Sequence, residues 1–394
     1  MSPYRRYKFP WRHGNRFETL VDSTAFFPRM LDTIALAGHY ILLEMYLAES
    51  GSVMDRFIEA LLAAAARGVR VYLLFDDFGS QQLTPRDRAR LVHPGVEVVY
   101  YNPLHSYSRL YNLYRILWLR TTHGLFRDHR KLLLVDGECA FTGGAGLTDE
   151  IEPPHAPGLQ WRETMIEIRG PVTGDWQRLF TENWNLHAEQ PLALPAGRAA
   201  TVTADQQGRV TVNEARSRMG IQRSLLGQIK RARYRVWFAT AYFIPPWTLR
   251  RQLKRAAKRG VDVRLLLPGP ITDHPGIRYA SRRYYGRLLK SDVRIFEYKP
   301  RFFHAKTVVC DDWITIGSCN FDRWNLQWNL EANQEINSPD LAKTFADIFE
   351  ADFASSVEQT HETWEQRGWR LRLLEWFWRK MERLSIKIRH RRRR

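Results

Sequence analysis

Residues 128–137 read DHRKLLLVDG, and residues 303–312 read FHAKTVVCDD. Each stretch holds a histidine, a lysine two residues on, an apolar run and an aspartate. The sets are His129, Lys131 and Asp136, then His304, Lys306 and Asp311. From average residue usage, one His-x-Lys-x4-Asp match arises by chance in roughly one chain in fifty. Two are far rarer, and here their surroundings repeat as well.

Upstream, residues 55–75 (DRFIEALLAAAARGVRVYLLF) and 247–267 (WTLRRQLKRAAKRGVDVRLLL) share a design. Each shows a helical apolar period, then Arg-Gly-Val, then a strand-like apolar run. Strand-like segments precede them at 39–50 (HYILLEMYLAES) and 234–246 (YRVWFATAYFIPP), and others follow at 96–103 and 293–300. The order strand–helix–strand–helix–strand–strand occurs twice, which is an internal duplication. It predicts an α/β fold of two similar lobes, each a mixed β-sheet flanked by helices. The first lobe is expected at 1–195, a linker at 196–207, the second lobe at 208–360 and a basic amphipathic tail at 361–394. The first copy carries about 17 extra residues before its histidine, within 104–123.

Composition narrows the partners. Among 394 residues, 60 Lys plus Arg against 42 Asp plus Glu give a net charge of +18. Such a balance points to nucleic acid, an anionic membrane surface or a phosphorylated substrate. Cys139, Cys310 and Cys319 form no CxxC pair, so no disulfide framework or zinc ribbon is available, and a reducing compartment is expected. The most apolar stretch, 33–48, contains His39 and Glu44 and is shorter than the roughly 20 residues of a spanning helix. Residues 1–16 are charged but lack the apolar core of a signal peptide. A membrane would therefore be met from one side.

On a strand, residues i and i+2 share a face. His129 and Lys131 therefore point together, as do His304 and Lys306. An imidazole beside an ammonium suits a phosphate: Lys draws the non-bridging oxygens, and His attacks phosphorus or protonates a leaving oxygen. The aspartates sit at an odd offset from their histidines, so Asp136 and Asp311 are read as anchors of the strand end. A lone strand histidine is ordinarily a satisfied core residue. Two His-Lys pairs at equivalent repeat positions are not explained that way. A lysine beside each histidine also argues against a metal site. Small and polar residues follow each motif, Thr142 to Gly146 and Gly317 to Asn320. Their backbone and side chains can approach an oxyanion.

With these motifs, and with stretches such as ATAYFIPP (239–246), DHPGIRYASRRYY (273–285) and NLEANQEI (329–336), the chain resembles the phospholipase D superfamily. The resemblance is closest to its bacterial cardiolipin synthase branch and covers about residues 10–355. It implies two phospholipase D-like lobes facing one shared active-site cleft. It counts His129, Lys131, Asp136, His304, Lys306 and Asp311 as the catalytic motif. By family precedent His129 is the nucleophile forming a phosphohistidine, and His304 the acid/base. Gly144, Ser318 and Asn320 are implied as substrate-binding. Glu163 and Glu331 match acidic residues that orient the imidazoles, each following the histidine of its own half. The resemblance calls for no cofactor and no metal. Two departures stand out: Gly146 replaces the family's Asn, and Trp324-Asn325 replaces the commoner Arg-Ser.

The leading function is then phosphatidyl transfer to phosphatidylglycerol, giving cardiolipin, with phosphatidylethanolamine as an alternative donor. The expected location is peripheral, on the cytoplasmic face of a bacterial cell membrane. A phosphodiesterase acting on phospholipid or nucleic acid is the alternative. Nucleic acid is disfavoured as a partner, because small nucleases of the superfamily usually carry one motif per chain. A non-catalytic membrane adaptor would predict decay of a His or Lys, and none has decayed. Two segments are expected at the membrane: the aromatic- and arginine-containing 104–123, and the tail. From 370 to 394 the tail carries 11 basic residues, with Leu373, Phe377, Met381, Leu384 and Ile388 along one helical face.

Overall fold

The computed structural model describes residues 9–103, 126–153, 159–195, 204–214, 218–322, 326, 329–369 and 371–378. The 104–123 segment, Trp324, Asn325, most of the linker and the tail from 379 onward lie outside the described residues.

The strands of the first lobe are β1 (Arg12–Val21), β2 (Tyr40–Met45), β3 (Arg70–Asp76), β4 (Val96–Tyr101), β5 (Lys131–Val135), β6 (Cys139–Gly143) and β7 (Thr164–Arg169). Those of the second are β8 (Gln206–Glu214), β9 (Arg218–Met219), β10 (Arg235–Ala239), β11 (Asp262–Pro268), β12 (Arg294–Tyr298), β13 (Thr307–Cys310), β14 (Trp313–Gly317), β15 (Leu330–Asn337) and β16 (Ser356–Gln359). The first lobe runs β1-β7-β6-β5-β2-β3-β4, and the second runs β8-β15-β14-β13-β10-β11-β12-β16. Apart from β9 and β16 the orders are equivalent. The lobes join where β1 pairs antiparallel with β8, Arg12 opposite Gly208 and Asn15 opposite Gln206. One sheet therefore crosses the whole molecule about an approximate two-fold axis at that seam. β8 begins at Gln206, so the expected linker ends inside a strand.

Helices cover both faces. On the outer face of the first lobe lie α1 (Ser23–Ala35), α2 (Ser52–Ala66) and the short α3 (Pro85–Arg90). In α2 the buried Val53, Met54, Phe57, Ile58 and Leu61 recur at helical spacing and close a core of their own with β2 and β3. The helix α4 (Thr173–Asn185) lies on the inner face. In the second lobe α5 (Gly220–Arg231), α6 (Trp247–Lys258), α7 (Pro275–Arg282) and α8 (Tyr285–Leu289) cover the outer face, and α9 (Pro339–Ala354) the inner one. A third core is common to both lobes: Trp176, Phe180 and Trp184 of α4 pack in one cluster with Phe345, Phe349 and Phe353 of α9. The recurring Arg-Gly-Val marks the same exit from α2 and α6. Gly68 and Gly260 stand at φ +92° and +85° with open space around a would-be Cβ, so backbone conformation alone selects glycine.

The short helix α10 (His361–Glu365) buries Trp364 in the second-lobe core. Beyond it, segment 371–378 is helical, and its Glu375 is buried against Arg282 and Arg367. The expected tail boundary at 360 therefore cuts through packed structure.

A buried ion pair locks the lobes together. Arg162, just before β7, grips Asp352 of α9 with Nε and Nη2 at 3.0 and 2.7 Å. Removing one partner strands the other charge out of water. Arg162→Ala is expected to cost about 3–5 kcal/mol, read as a shift in the urea midpoint.

Candidate active site

In the first lobe the parallel strands β2 and β3 end beside the start of β5, and in the second β10 and β11 end beside the start of β13. His129 and His304 sit at these two sets of strand ends. The sequence places each His inside its strand, but the strands start at Lys131 and Thr307. The residues before them leave the lobe and reach the other one. Asp128 bridges Leu330, with His129 N–H donating to Leu330 O at 3.0 Å. Phe303 bridges Arg162 in the same manner, with His304 N–H donating to Arg162 O at 2.9 Å.

Each bridge delivers the residue that follows it. Glu331 lies beside His129, its carboxylate oxygens 3.0 and 3.2 Å from Nδ1. Glu163 lies beside His304, 2.6 Å from Nδ1. The expectation that each carboxylate serves the histidine of its own half is thus corrected: the pairs are crossed. Spacing along the chain does not reveal this, because the bridges depend on how the lobes meet.

The contacts fix both tautomers. The carbonyl of Ser318 lies 3.1 Å from His129 Nδ1 and can only accept, so Nδ1 carries the proton and Nε2 is bare. For His304 the Glu163 carboxylate plays that part. Both lysines curl back to their own motif: Lys131 Nζ donates to His129 O at 2.7 Å, and Lys306 Nζ to His304 O. Lys306 Nζ also lies 3.2 Å from His304 Nε2.

Burial and positive charge set the protonation states. Burial, with Lys131 and Lys306 nearby, drives His129 well below the usual imidazole range. Burial and Lys306 bring His304 down to about 4. Both rings are therefore neutral at pH 7. Burial lowers Lys131 to about 7, and Glu331 opposes that shift. The carboxylates differ. Burial raises Glu331 to about 8, against the pull of Lys131. Burial also pushes Glu163 upward, but Lys306 and the His304 hydrogen bond prevail, and it lies below the ordinary range.

The immediate surroundings of the two carboxylates also differ at one pair of equivalent positions, Gly144 and Ser318. A Cβ at Gly144 would lie 2.2 Å from Glu163 Oε2 and 2.6 Å from Lys306 Nζ. Glycine thus lets Lys306 stand 3.4 Å from Glu163. Ser318 instead directs its hydroxyl to Glu331. Asn320 is buried, and its Oδ1 has no partner among the described residues. Its counterpart Gly146 has no room for a side chain, since a Cβ would sit 2.7 Å from Leu47 Cβ.

Asp136 and Asp311 stand at the far ends of β5 and β13, roughly 20 Å along the strand from the histidines. Both adopt positive φ, 53° and 52°, in the hairpin turns. The Asp136 carboxylate accepts from the N–H groups of Gly38, His39 and Tyr40, and that of Asp311 from Arg233, Tyr234 and Arg235. The structure places neither in the cleft, which removes them from the catalytic set that the resemblance implies.

Several site residues are not singled out by the sequence. Tyr46 flanks His129 at 4.6 Å between ring centres, and Trp161 flanks His304 at 4.7 Å. Tyr242 reaches His304 at 6.4 Å and donates to Asp273. Their position just past β2 and β10, or next to Glu163, is the only signal available. Asp76 at the end of β3 accepts from Asp128 N–H at 2.8 Å and so holds the approach to His129. Among the described residues no group of three His, Cys, Asp or Glu side chains is placed to hold a metal. No described helix is long and apolar enough to cross a membrane.

A duplicated two-lobed α/β fold whose His-Lys pairs meet in one cleft between the lobes defines the phospholipase D superfamily. Residues 30–184 and 225–353 match the family described as "Cardiolipin synthase, PLD-like domain", and the chain belongs to that family. It is an enzyme of the superfamily's phosphatidyltransferase type. Cardiolipin synthase A of Pseudomonas aeruginosa is 33% identical over 91% of this chain and 71% of that protein. Cardiolipin synthase B of Escherichia coli is 30% identical over 90% and 84%. The crystal structure of phosphatidylserine synthase from Haemophilus influenzae Rd KW20 shares the fold, with a TM-score of 0.67 over 97% of this chain and 95% of that one at 12% identity.

Two predictions follow from the electrostatics and packing. The Lys131 charge is present below about pH 7 and lost above it, and Glu331 gains negative charge above about pH 8. Both changes weaken anion binding as pH rises. Sulfate should therefore bind more tightly at pH 6.5 than at pH 8.5 by calorimetry, and Lys131→Met should flatten the dependence. Gly144→Ala should displace Glu163 and lower turnover by about a hundredfold while the melting temperature changes little.

Proposed function

We propose that this enzyme makes cardiolipin by moving a phosphatidyl group from one phosphatidylglycerol to another. The observation that supports this reading is the pair of neutral imidazoles, each locked at Nδ1 by a group from the opposite lobe, so that both bare Nε2 atoms serve one site. His129 Nε2 attacks phosphorus, the bond to the departing glycerol oxygen breaks, and His304 gives that oxygen a proton. The negative charge of the bound phosphodiester favours the protonated His304 that this step requires. His304 then takes the proton from the hydroxyl of the second phosphatidylglycerol. That oxygen attacks phosphorus, and the phosphohistidine bond breaks. Lys131 and Lys306 hold the non-bridging oxygens, joined by the Asn320 amide. Tyr46, Trp161 and Tyr242 wall the histidines and keep water from taking the acceptor's place. The cleft works at an anionic membrane surface, from its cytoplasmic side.

Labelled phosphatidylglycerol should yield cardiolipin and glycerol. Phosphatidic acid as the main product would make the enzyme a phospholipase, and cleavage of single-stranded DNA a nuclease. His129→Ala and His304→Ala should each lower transfer by at least about a thousandfold with the fold intact. Activity is expected to survive EDTA.

A further inference from the structure

One flank of the second lobe carries cations that the cleft does not use. Helix α6 holds Arg250, Arg251, Lys254, Arg255 and Lys258 and no carboxylate. Like charges three and four residues apart oppose each other on a helix. A groove of about 320 Å³ runs between α6 and Arg287, with Trp247 at its α6 end and no acidic residue in its lining. Arg287 also lines the adjoining cavity of about 740 Å³, where the cations Arg283, Lys290, Arg367 and Arg372 outnumber the carboxylates Glu365 and Glu375. Arg251, Arg255, Lys258, Arg287 and Lys290 are exposed, and among the described residues none pairs with a carboxylate.

Apolar side chains border these cations. Trp247 is 61% exposed, and on segment 371–378 Leu373, Leu374, Trp376 and Phe377 are exposed as well. That segment is not free to turn them inward. Its Glu375 is buried, 3.1 Å from both Arg282 and Arg367, and Trp378 packs where Gly276 leaves no room for a Cβ. Both apolar elements stand at the cleft end of the lobe. Trp247 begins α6 eight residues after Ala239, which pairs with Thr307 beside the His304 motif. Gly276 follows Asp273, the partner of Tyr242, whose ring neighbours His304.

We infer that this flank is a second, non-catalytic site for anionic phospholipid, by which the lobe sits on the bilayer. Lipid phosphates enter the groove around Arg287, and Trp247, Leu373, Trp376 and Phe377 enter the head-group layer. The cleft mouth is thereby held at the lipid surface. A nucleic acid would match the cations but leave the exposed leucines in water, whereas a bilayer buries them. The inference rests on the phosphatidyltransferase reading for its biological sense, but its test needs no turnover.

Cys139, Cys310 and Cys319 are all buried, so a thiol-reactive, environment-sensitive dye will favour an introduced cysteine. Full-length Trp247→Cys, Phe377→Cys and Val92→Cys should be labelled and mixed with phosphatidylcholine vesicles with and without phosphatidylglycerol. Val92 is 84% exposed and precedes β4, at the sheet edge away from the cleft. Dye at 247 and 377 should shift to the blue on phosphatidylglycerol vesicles, and dye at 92 should not. If the protein pellets with vesicles while dye at 247 and 377 stays water-like, the proposal is overturned. A variant carrying Arg251→Glu, Arg255→Glu, Arg287→Glu and Lys290→Glu supplies the second arm. Each basic residue near an anionic leaflet is worth about fivefold in partitioning, so four reversals should cost at least about a hundredfold. Turnover of a soluble short-chain phosphatidylglycerol should stay unchanged. Unaltered vesicle binding, loss of short-chain turnover in a variant that melts normally, or loss of oligonucleotide binding alone would each overturn the assignment. Failure to make cardiolipin, with the dye shifts intact, would count against the proposed reaction and not against this surface.

Discussion

Two backbone bridges, Asp128 to Leu330 and Phe303 to Arg162, hold the functional architecture together. Each fixes the chain beside a histidine to the chain beside a carboxylate of the other lobe. The imidazole and its partner therefore share one rigid frame although 202 residues separate His129 from Glu331. Other inter-lobe contacts serve the same registration. Trp176 of α4 donates to Gln334 at 2.9 Å, Arg162 grips Asp352, and the aromatic residues of α4 and α9 share one core. If the lobes shifted by an ångström, both histidines would lose their orientation together, and such a shift is costly in a well-packed interior.

The duplication gives two frames of the same shape but not of the same character. The residues next to His129 in sequence, Asp128 and Arg130, are buried within reach of Glu44, Asn183 and Glu214. Those next to His304 are Phe303 and Ala305, which belong to the apolar core. Glu163 is ionised against Lys306, whereas burial makes Glu331 hold its proton more tightly, against the pull of Lys131 and the Ser318 hydroxyl. A transfer enzyme needs one imidazole to bond phosphorus and another to exchange a proton. Unequal surroundings let two copies of one motif divide that work.

Much of this was legible before any coordinates. Repeated motifs, helix exits at Arg-Gly-Val and strand runs are local patterns, so the two-lobed α/β class and both His-Lys pairs could be read directly. The odd spacing to Asp136 and Asp311 already set them apart from the histidines. Crossing of the carboxylates was not legible, because nothing local at Glu163 distinguishes a partner 34 residues behind from one 141 residues ahead. Opening strands β1 and β8 were missed for a related reason. RHGNRFETLV and QQGRVTVNE carry few large apolar residues, and their burial comes from the seam they form with each other and with β7 and β15. Tyr46, Trp161 and Tyr242 reach the site only through the fold.

The seam between β1 and β8 also bears on ancestry. Equivalent strands meet there antiparallel, which is how an edge strand pairs with a copy of itself across a two-fold axis. A half-length forerunner could have assembled as a homodimer through that edge, and only the dimer would have owned a working site, since each histidine borrows its carboxylate from across the axis. In such an ancestor both sites' halves were bound to be identical. Fusion into one reading frame released that constraint, and substitutions such as glycine at 144 against serine at 318 became selectable one side at a time.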